Sequence, residues 1–237
     1  MSTPGKVYLI PTVLSEGALH TIPAYITATV QQLRIFFVEN ERTARRYLKA
    51  LDRNINIDAL QLHVIDENQP PEMIRALAKK LLEEGQHIGV MSEAGCPAIA
   101  DPGHLVVQAA HRTGATVVPL VGPNSILLAL MASGMNGQNF QFVGYLPVKP
   151  PERIKAIREL EALSQKKQQT QVFIEAPYRN NQLLKDILAN CKPHTLLCIA
   201  ADITGTEEFI RTRMVQEWKK ELPELHKRPV IFLLYGE

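Results

Sequence analysis

Two stretches of the chain concentrate residues that let backbone come close to a ligand: "SEAGCPAIADPG" at 92–103 and "LVGPNS" at 120–125. Each follows a short apolar run and precedes a helical pattern, the position from which α/β proteins present backbone N–H groups and helix starts to small molecules. Gly95 and Gly103 give backbone access or serve a tight turn. Asp101-Pro102-Gly103 reads as a helix start, with Asp as N-cap and Pro at the first helical position. Gly122-Pro123 turns the chain, and Asn124 or Ser125 caps the helix after it. The bland reading is two capped turns. The sharper one is two neighbouring loops lining one cleft.

What is missing narrows the chemistry. The sequence has no G-x-G-x-x-G, no G-x-x-x-x-G-K-[ST] and no G-x-S-x-G, so the usual dinucleotide, triphosphate and hydrolase signatures are absent. The seven histidines are scattered; His104 and His111 share a helix at a spacing too wide for a metal pair, and no metal is expected. Cys96 sits in the first loop without an evident base beside it, which reads as a small loop-filling residue. Cys191 and Cys198 complete the set of three, with no CxxC spacing. A reducing, cytoplasmic setting is the expectation. At 46% apolar, 21% charged and a net charge of +2, nothing global advertises nucleic acid. No window approaches the roughly 18 apolar residues of a membrane span, and "MSTPGKVYLIPT" lacks a signal-peptide pattern.

The elements that must position these loops are legible in the hydrophobic pattern. Short β-rich runs at 6–11, 34–39, 60–65, 87–92 and 116–121 alternate with helical segments. Among these, Pro71–Glu84 and His104–Arg112 stop at Gly85 and Gly114, and Asn124–Met135 is the fifth. That alternation implies βαβ units and a parallel sheet. Prolines and a glycine crowd Phe142–Glu152, marking a linker. A charged helix (152–167), a strand (171–175), a helix (180–190), a strand (196–200), an amphipathic segment carrying Trp218 and a last strand (230–235) follow it. The expectation is two α/β domains, residues 1–143 and 144–237.

Taken in order, "IPT", "VENERTARRYL", "SEAGCPAIADPG", "VPLVGPNS", "GYLPVK", "IEAPYR" and "ADIT" resemble the tetrapyrrole methylase superfamily. The branch they look most like is the ribosomal RNA small subunit methyltransferase I group, which methylates a cytidine 2′-hydroxyl and reads approximately "SDAGTPxISDPG", "PLPGPxA", "GFLPxK" and "YEAPHR". The resemblance covers nearly the whole chain. It implies a mostly parallel, Rossmann-like N-terminal sheet, a mixed C-terminal sheet, an S-adenosylmethionine cleft between them, and a homodimer. Matched position by position, it assigns the cofactor to Ser92, Ala94, Gly95, Pro97 and Ala98, to Gly122, Asn124 and Ser125, and to Ile174, Ala200, Ala201 and Leu233. Ordinary strand core is the competing reading of the last four.

Methyl transfer to a hydroxyl needs a group that takes the proton. Glu39 and Glu175, each ending a strand, are the acid/base candidates; ion pairing with Arg42 and Arg179 is the alternative for each. Arg42, Arg179, Lys149 and Arg153 are the candidate contacts to substrate phosphate. The expected partner is ribosomal RNA or the small ribosomal subunit, and no membrane. The chain departs from the branch where "PTPIGNLxD" becomes "PTVLSEGALHT" and "EDTR" becomes "ENER". A methylase of a tetrapyrrole-like small molecule and a catalytically weakened cofactor-binding paralogue are the alternatives.

Overall fold

The computed structural model describes residues 3–66 and 68–236, and it divides into two compact units, Met1–Asn124 and Ser125–Glu237. In the first, strands β1 (Lys6–Leu9), β2 (Ile35–Val38), β3 (Gln61–Val64), β4 (Ile88–Met91) and β5 (Thr116–Pro119) form one sheet in the order β3-β2-β4-β1-β5. All four pairings are parallel. Helices α1 (Tyr25–Gln31), α2 (Glu41–Leu51), α3 (Pro71–Glu83) and α4 (His104–Thr113) supply the crossovers.

Strand alternation explains why both faces of this sheet are dry. Ile35, Phe37, Ile88 and Val90 pack with Ile74, Ala78 and Leu82 of α3 and with Val106 and Ala109 of α4. Phe36, Val38 and Met91 point the other way, onto Ile26 and Val30 of α1 and Ala44, Tyr47 and Leu48 of α2. Near-continuous apolar runs such as "IFFV" are what a strand covered on both faces requires. Every loop at the carboxyl edge therefore stands on a rigid base.

The second unit holds α5 (Ser125–Ser133), β6 (Phe140–Tyr145), α6 (Pro150–Lys167), β7 (Thr170–Ile174), α7 (Asn180–Asn190), β8 (Leu196–Ala201), β9 (Phe209–Met214), α8 (Val215–Trp218) and β10 (Val230–Tyr235). Its sheet runs β6-β7-β10-β8-β9, with β6 parallel to β7 and the other neighbours antiparallel. Phe173, Leu197, Ile199 and Phe232 pack with Ile157 of α6 and Leu184 and Ile187 of α7. Trp218 closes that core and donates its indole N–H to the Leu197 carbonyl at 2.9 Å.

Three features differ from the sequence reading. Residues 140–145 are a strand of the second unit, so the compact units part at 124/125 where composition placed the change at 143/144. The strand is a half-exposed edge with a register shift at Phe142/Gly144, and it carries no buried run to advertise it. Residues 209–214 are likewise an edge strand, one in which Arg211 and Arg213 lie over the rings of Phe209 and Trp218. Asp101 is not the N-cap of α4. That helix starts at His104, and Asp101 Oδ1 accepts from the Gly103 N–H (2.7 Å) while Oδ2 accepts from the Ile99 N–H (3.2 Å). Among the described residues, no helix is long and apolar enough to cross a membrane, and no group of three or more His, Cys, Asp or Glu is arranged to hold a metal ion.

Candidate functional site

In the first unit the loops after β1, β4 and β5 are bound to one another at the carboxyl edge. The Thr12 N–H donates to the Gly95 carbonyl (2.9 Å) and the Gly95 N–H returns to Thr12 (3.2 Å), forming an isolated antiparallel bridge. The Thr12 hydroxyl donates to the Ser92 carbonyl at 3.3 Å. Cys96 Sγ donates to the Pro123 carbonyl at 3.4 Å, tying the 92–103 loop to the turn after β5. Burial pushes the Cys96 thiol above its usual range, with a side-chain hydrogen bond to Asn124 opposing the shift. The thiol packs between the two loops, and its burial disfavours the thiolate.

Backbone geometry explains why the loop needs small residues. Gly95 sits at φ +78°, and a Cβ there would stand 3.0 Å from Leu14 Cδ2 and 3.3 Å from the Pro123 carbonyl oxygen. Gly122 is packed harder still: its Cβ would fall 2.1 Å from Pro11 Cβ. Ala98 and Ala100 both take positive φ, at 67° and 61°, a strain of about 1–3 kcal/mol each that persists only where the surroundings enforce it. Ser92, Gly95 and Pro97 are buried, while Ala94 is exposed and Ala98 half-exposed. Glu39, half-buried at the end of β2, accepts the Glu93 N–H at 2.8 Å and so fixes the start of the same loop. Arg42 is exposed on the first turn of α2.

In the second unit, register aligns the apolar candidates. Ile231 pairs with Ile174 on one side and Ala200 on the other, and Leu233 lies two residues along on that same face. Ala201 faces the opposite way: its methyl belongs to the core under α6 and α7, which leaves only its backbone for a ligand. Ser125 opens α5.

Glu175 is sealed, with a side-chain exposure of 0%. Its Oε1 accepts from the Ala176 N–H (2.7 Å) and from Arg179 Nε (2.9 Å) and Nη2 (2.6 Å), while Oε2 has no hydrogen-bond partner among the described residues. The carboxylate raises the Arg179 pKa, and the guanidinium also bonds the Tyr178 hydroxyl at 2.6 Å. Arg179 is thereby aimed, with a quarter of its side chain exposed. Lys149 is exposed and stands 3.8 Å from Glu152.

Arg153 corrects an expectation. Its side chain is 5% exposed and pairs with Asp186 at 2.6 Å, with a further bond to the Val148 carbonyl. A guanidinium committed to α7 does not reach for phosphate. Arg153→Leu strands Asp186 without its cation, so it is expected to cost about 3–5 kcal/mol in chemical denaturation.

Residues 13–217 match the family model described as Tetrapyrrole (Corrin/Porphyrin) Methylases. The chain belongs to the tetrapyrrole methylase family. Its donor is therefore S-adenosylmethionine, and it is a methyltransferase. One relative, the Ribosomal RNA small subunit methyltransferase I of Escherichia coli O157:H7, is 32% identical over 98% of this chain and 78% of its own length. In fold the chain is similar to the methyltransferase CobJ, at TM-score 0.63 and 19% identity over 99% of this chain and 95% of that one. It is also similar to a uroporphyrin-III C-methyltransferase of Thermus thermophilus solved with S-adenyl homocysteine, at TM-score 0.57 and 18% identity over 98% of each.

The residues present fit such a donor. The positive-φ loop at Gly95 offers backbone rather than side chains, as a methylase without the Gly-rich fingerprint must. Thr12 is a member of this machinery that spacing did not single out. Its only sequence signal is its place directly after the first strand, in "IPT".

Proposed function

We propose that this methylase transfers its methyl group to a ribose 2′-hydroxyl of small-subunit ribosomal RNA. The observation that carries the reading is the 32% identity over nearly the whole chain to a relative with small-subunit ribosomal RNA in its name. The site chemistry supports it. When bound, the donor supplies a methyl group on a sulfonium, already electrophilic, so the protein's tasks are positioning and removal of the hydroxyl proton. Glu39 is the group assigned to take that proton, because its side chain is half-exposed where Glu175 is sealed. Glu175 acts as a positioning residue that holds Arg179 toward a phosphate, for which a guanidinium fork is suited.

The test is transfer of labelled methyl from S-adenosylmethionine to small ribosomal subunits lacking the modification. Label in the RNA, released as a 2′-O-methylnucleoside, is the expected result. Tight donor binding without transfer contradicts the reading and leaves a cofactor-binding paralogue. Label in a porphyrinoid moves the chain to the small-molecule methylases.

A further inference from the structure

Asp101 lies between the 92–98 loop and α4, and its carboxylate turns back into the loop rather than forward to the helix. Oδ2 accepts the Ile99 N–H at 3.2 Å and Oδ1 the Gly103 N–H at 2.7 Å, so one side chain ties residue 99 to residue 103. Burial raises its pKa, against the opposing pull of the Gly103, Ala98 and Ile99 N–H groups. Between these anchors Ala98 and Ala100 are left-handed, at φ 67° and 61°, on either side of Ile99. Residues with a Cβ hold that conformation only where the surroundings enforce it. Packing does not enforce it here. Ile99 and Ala100 are exposed, and Ala98, Ala100 and Pro102 border a cavity of about 380 Å³. Among the described residues, no backbone–backbone hydrogen bond reaches residues 98–101. The carboxylate is what remains, and hydrogen bonds to a charged acceptor are the stronger kind. Gly103 keeps its seat open: a Cβ there would fall 2.7 Å from Asp101 Oδ1.

We infer that Asp101 is a positioning residue for the methyl donor, whose carboxylate holds the 92–98 loop in the conformation that receives it. The inference rests on the assignment of that loop to the donor and is independent of the acceptor, RNA or otherwise. The link runs through the chain itself. Ala98 closes the loop and opens the strained segment, so a change in its φ turns the Pro97 carbonyl and swings the residues before it. Without the carboxylate the two alanines relax toward the right-handed region they prefer. A donor must then select the competent loop from a mixture, and its apparent affinity falls by the competent fraction. That fraction is the same for the cationic donor and for its neutral product.

The test is calorimetry of S-adenosylmethionine and S-adenosylhomocysteine binding to the wild type, Asp101→Ala, Asp101→Asn and Gly95→Val, with thermal unfolding of each. Asp101→Ala is expected to bind both ligands about tenfold or more weakly, and by the same factor. Asp101→Asn keeps one acceptor oxygen, so it should lose less than alanine does, and it carries the test alone if the alanine variant does not fold. A lower unfolding temperature with unchanged affinities marks a purely structural role and overturns the inference. Loss for S-adenosylmethionine with S-adenosylhomocysteine spared overturns it too, because that is direct contact with the sulfonium charge. If the Asp101 variants keep full affinity while Gly95→Val loses it, the loop belongs to the donor site and the role of Asp101 fails. If Gly95→Val also keeps full affinity, the assignment of the loop fails and the inference falls with it.

Discussion

Gly95→Val is expected to abolish S-adenosylmethionine binding in a protein that still folds. The position has φ +78°, a region where a β-branched residue is strained by about 1–2 kcal/mol. The new Cβ also meets Leu14 at 3.0 Å and the Pro123 carbonyl at 3.3 Å. Both neighbours belong to loops, so the strain is relieved by moving the 92–98 segment rather than by opening the sheet core, where Gly95 has no part. Movement breaks the two-way bridge to Thr12 and withdraws the backbone proposed to hold the donor. Calorimetry should show affinity lower by at least about a hundredfold, or about 2.7 kcal/mol, with a cooperative thermal transition retained. Unchanged affinity removes this loop from the donor site.

The second large effect is expected at Glu39. Glutamine keeps the side-chain oxygen that accepts the Glu93 N–H, so the loop stays pinned, but it cannot take a proton. Loss of a positioned general base lowers kcat by about 10²–10⁴-fold. Donor affinity and KM for RNA should barely change. Glu175→Gln is the informative contrast. Its carboxylate bonds Arg179 twice and never reaches solvent, so substitution should raise KM for RNA and reduce the salt sensitivity of binding while kcat is largely retained. If the two variants exchange behaviours, with kcat collapsing in Glu175→Gln alone, the roles assigned to the two carboxylates are reversed.

The parts of the candidate site that are legible in the sequence are those where backbone conformation forces residue type. The 92–98 loop announced itself through glycine, alanine and proline because a positive φ and a close approach leave few other choices. The parallel strands did so through apolar runs buried on both faces. The two edge strands stayed hidden because neither face of an edge needs a clean apolar pattern: β6 is half-exposed, and β9 carries arginines that stack on aromatic rings. Arg153 misled for a related reason. On a charged helix its burial depends on Asp186, 33 residues away, a tertiary fact with no local signature. The same is true of the Thr12–Gly95 bridge, assembled from segments far apart in sequence.

The most direct measurement of the account is mass-spectrometric mapping of ribose methylation on small-subunit ribosomal RNA from cells with and without this gene. The account predicts one 2′-O-methylated nucleotide present with the gene, absent without it, and restored by the wild type but not by Gly95→Val. Identical maps in the two strains, with S-adenosylmethionine binding intact in the purified protein, would contradict it.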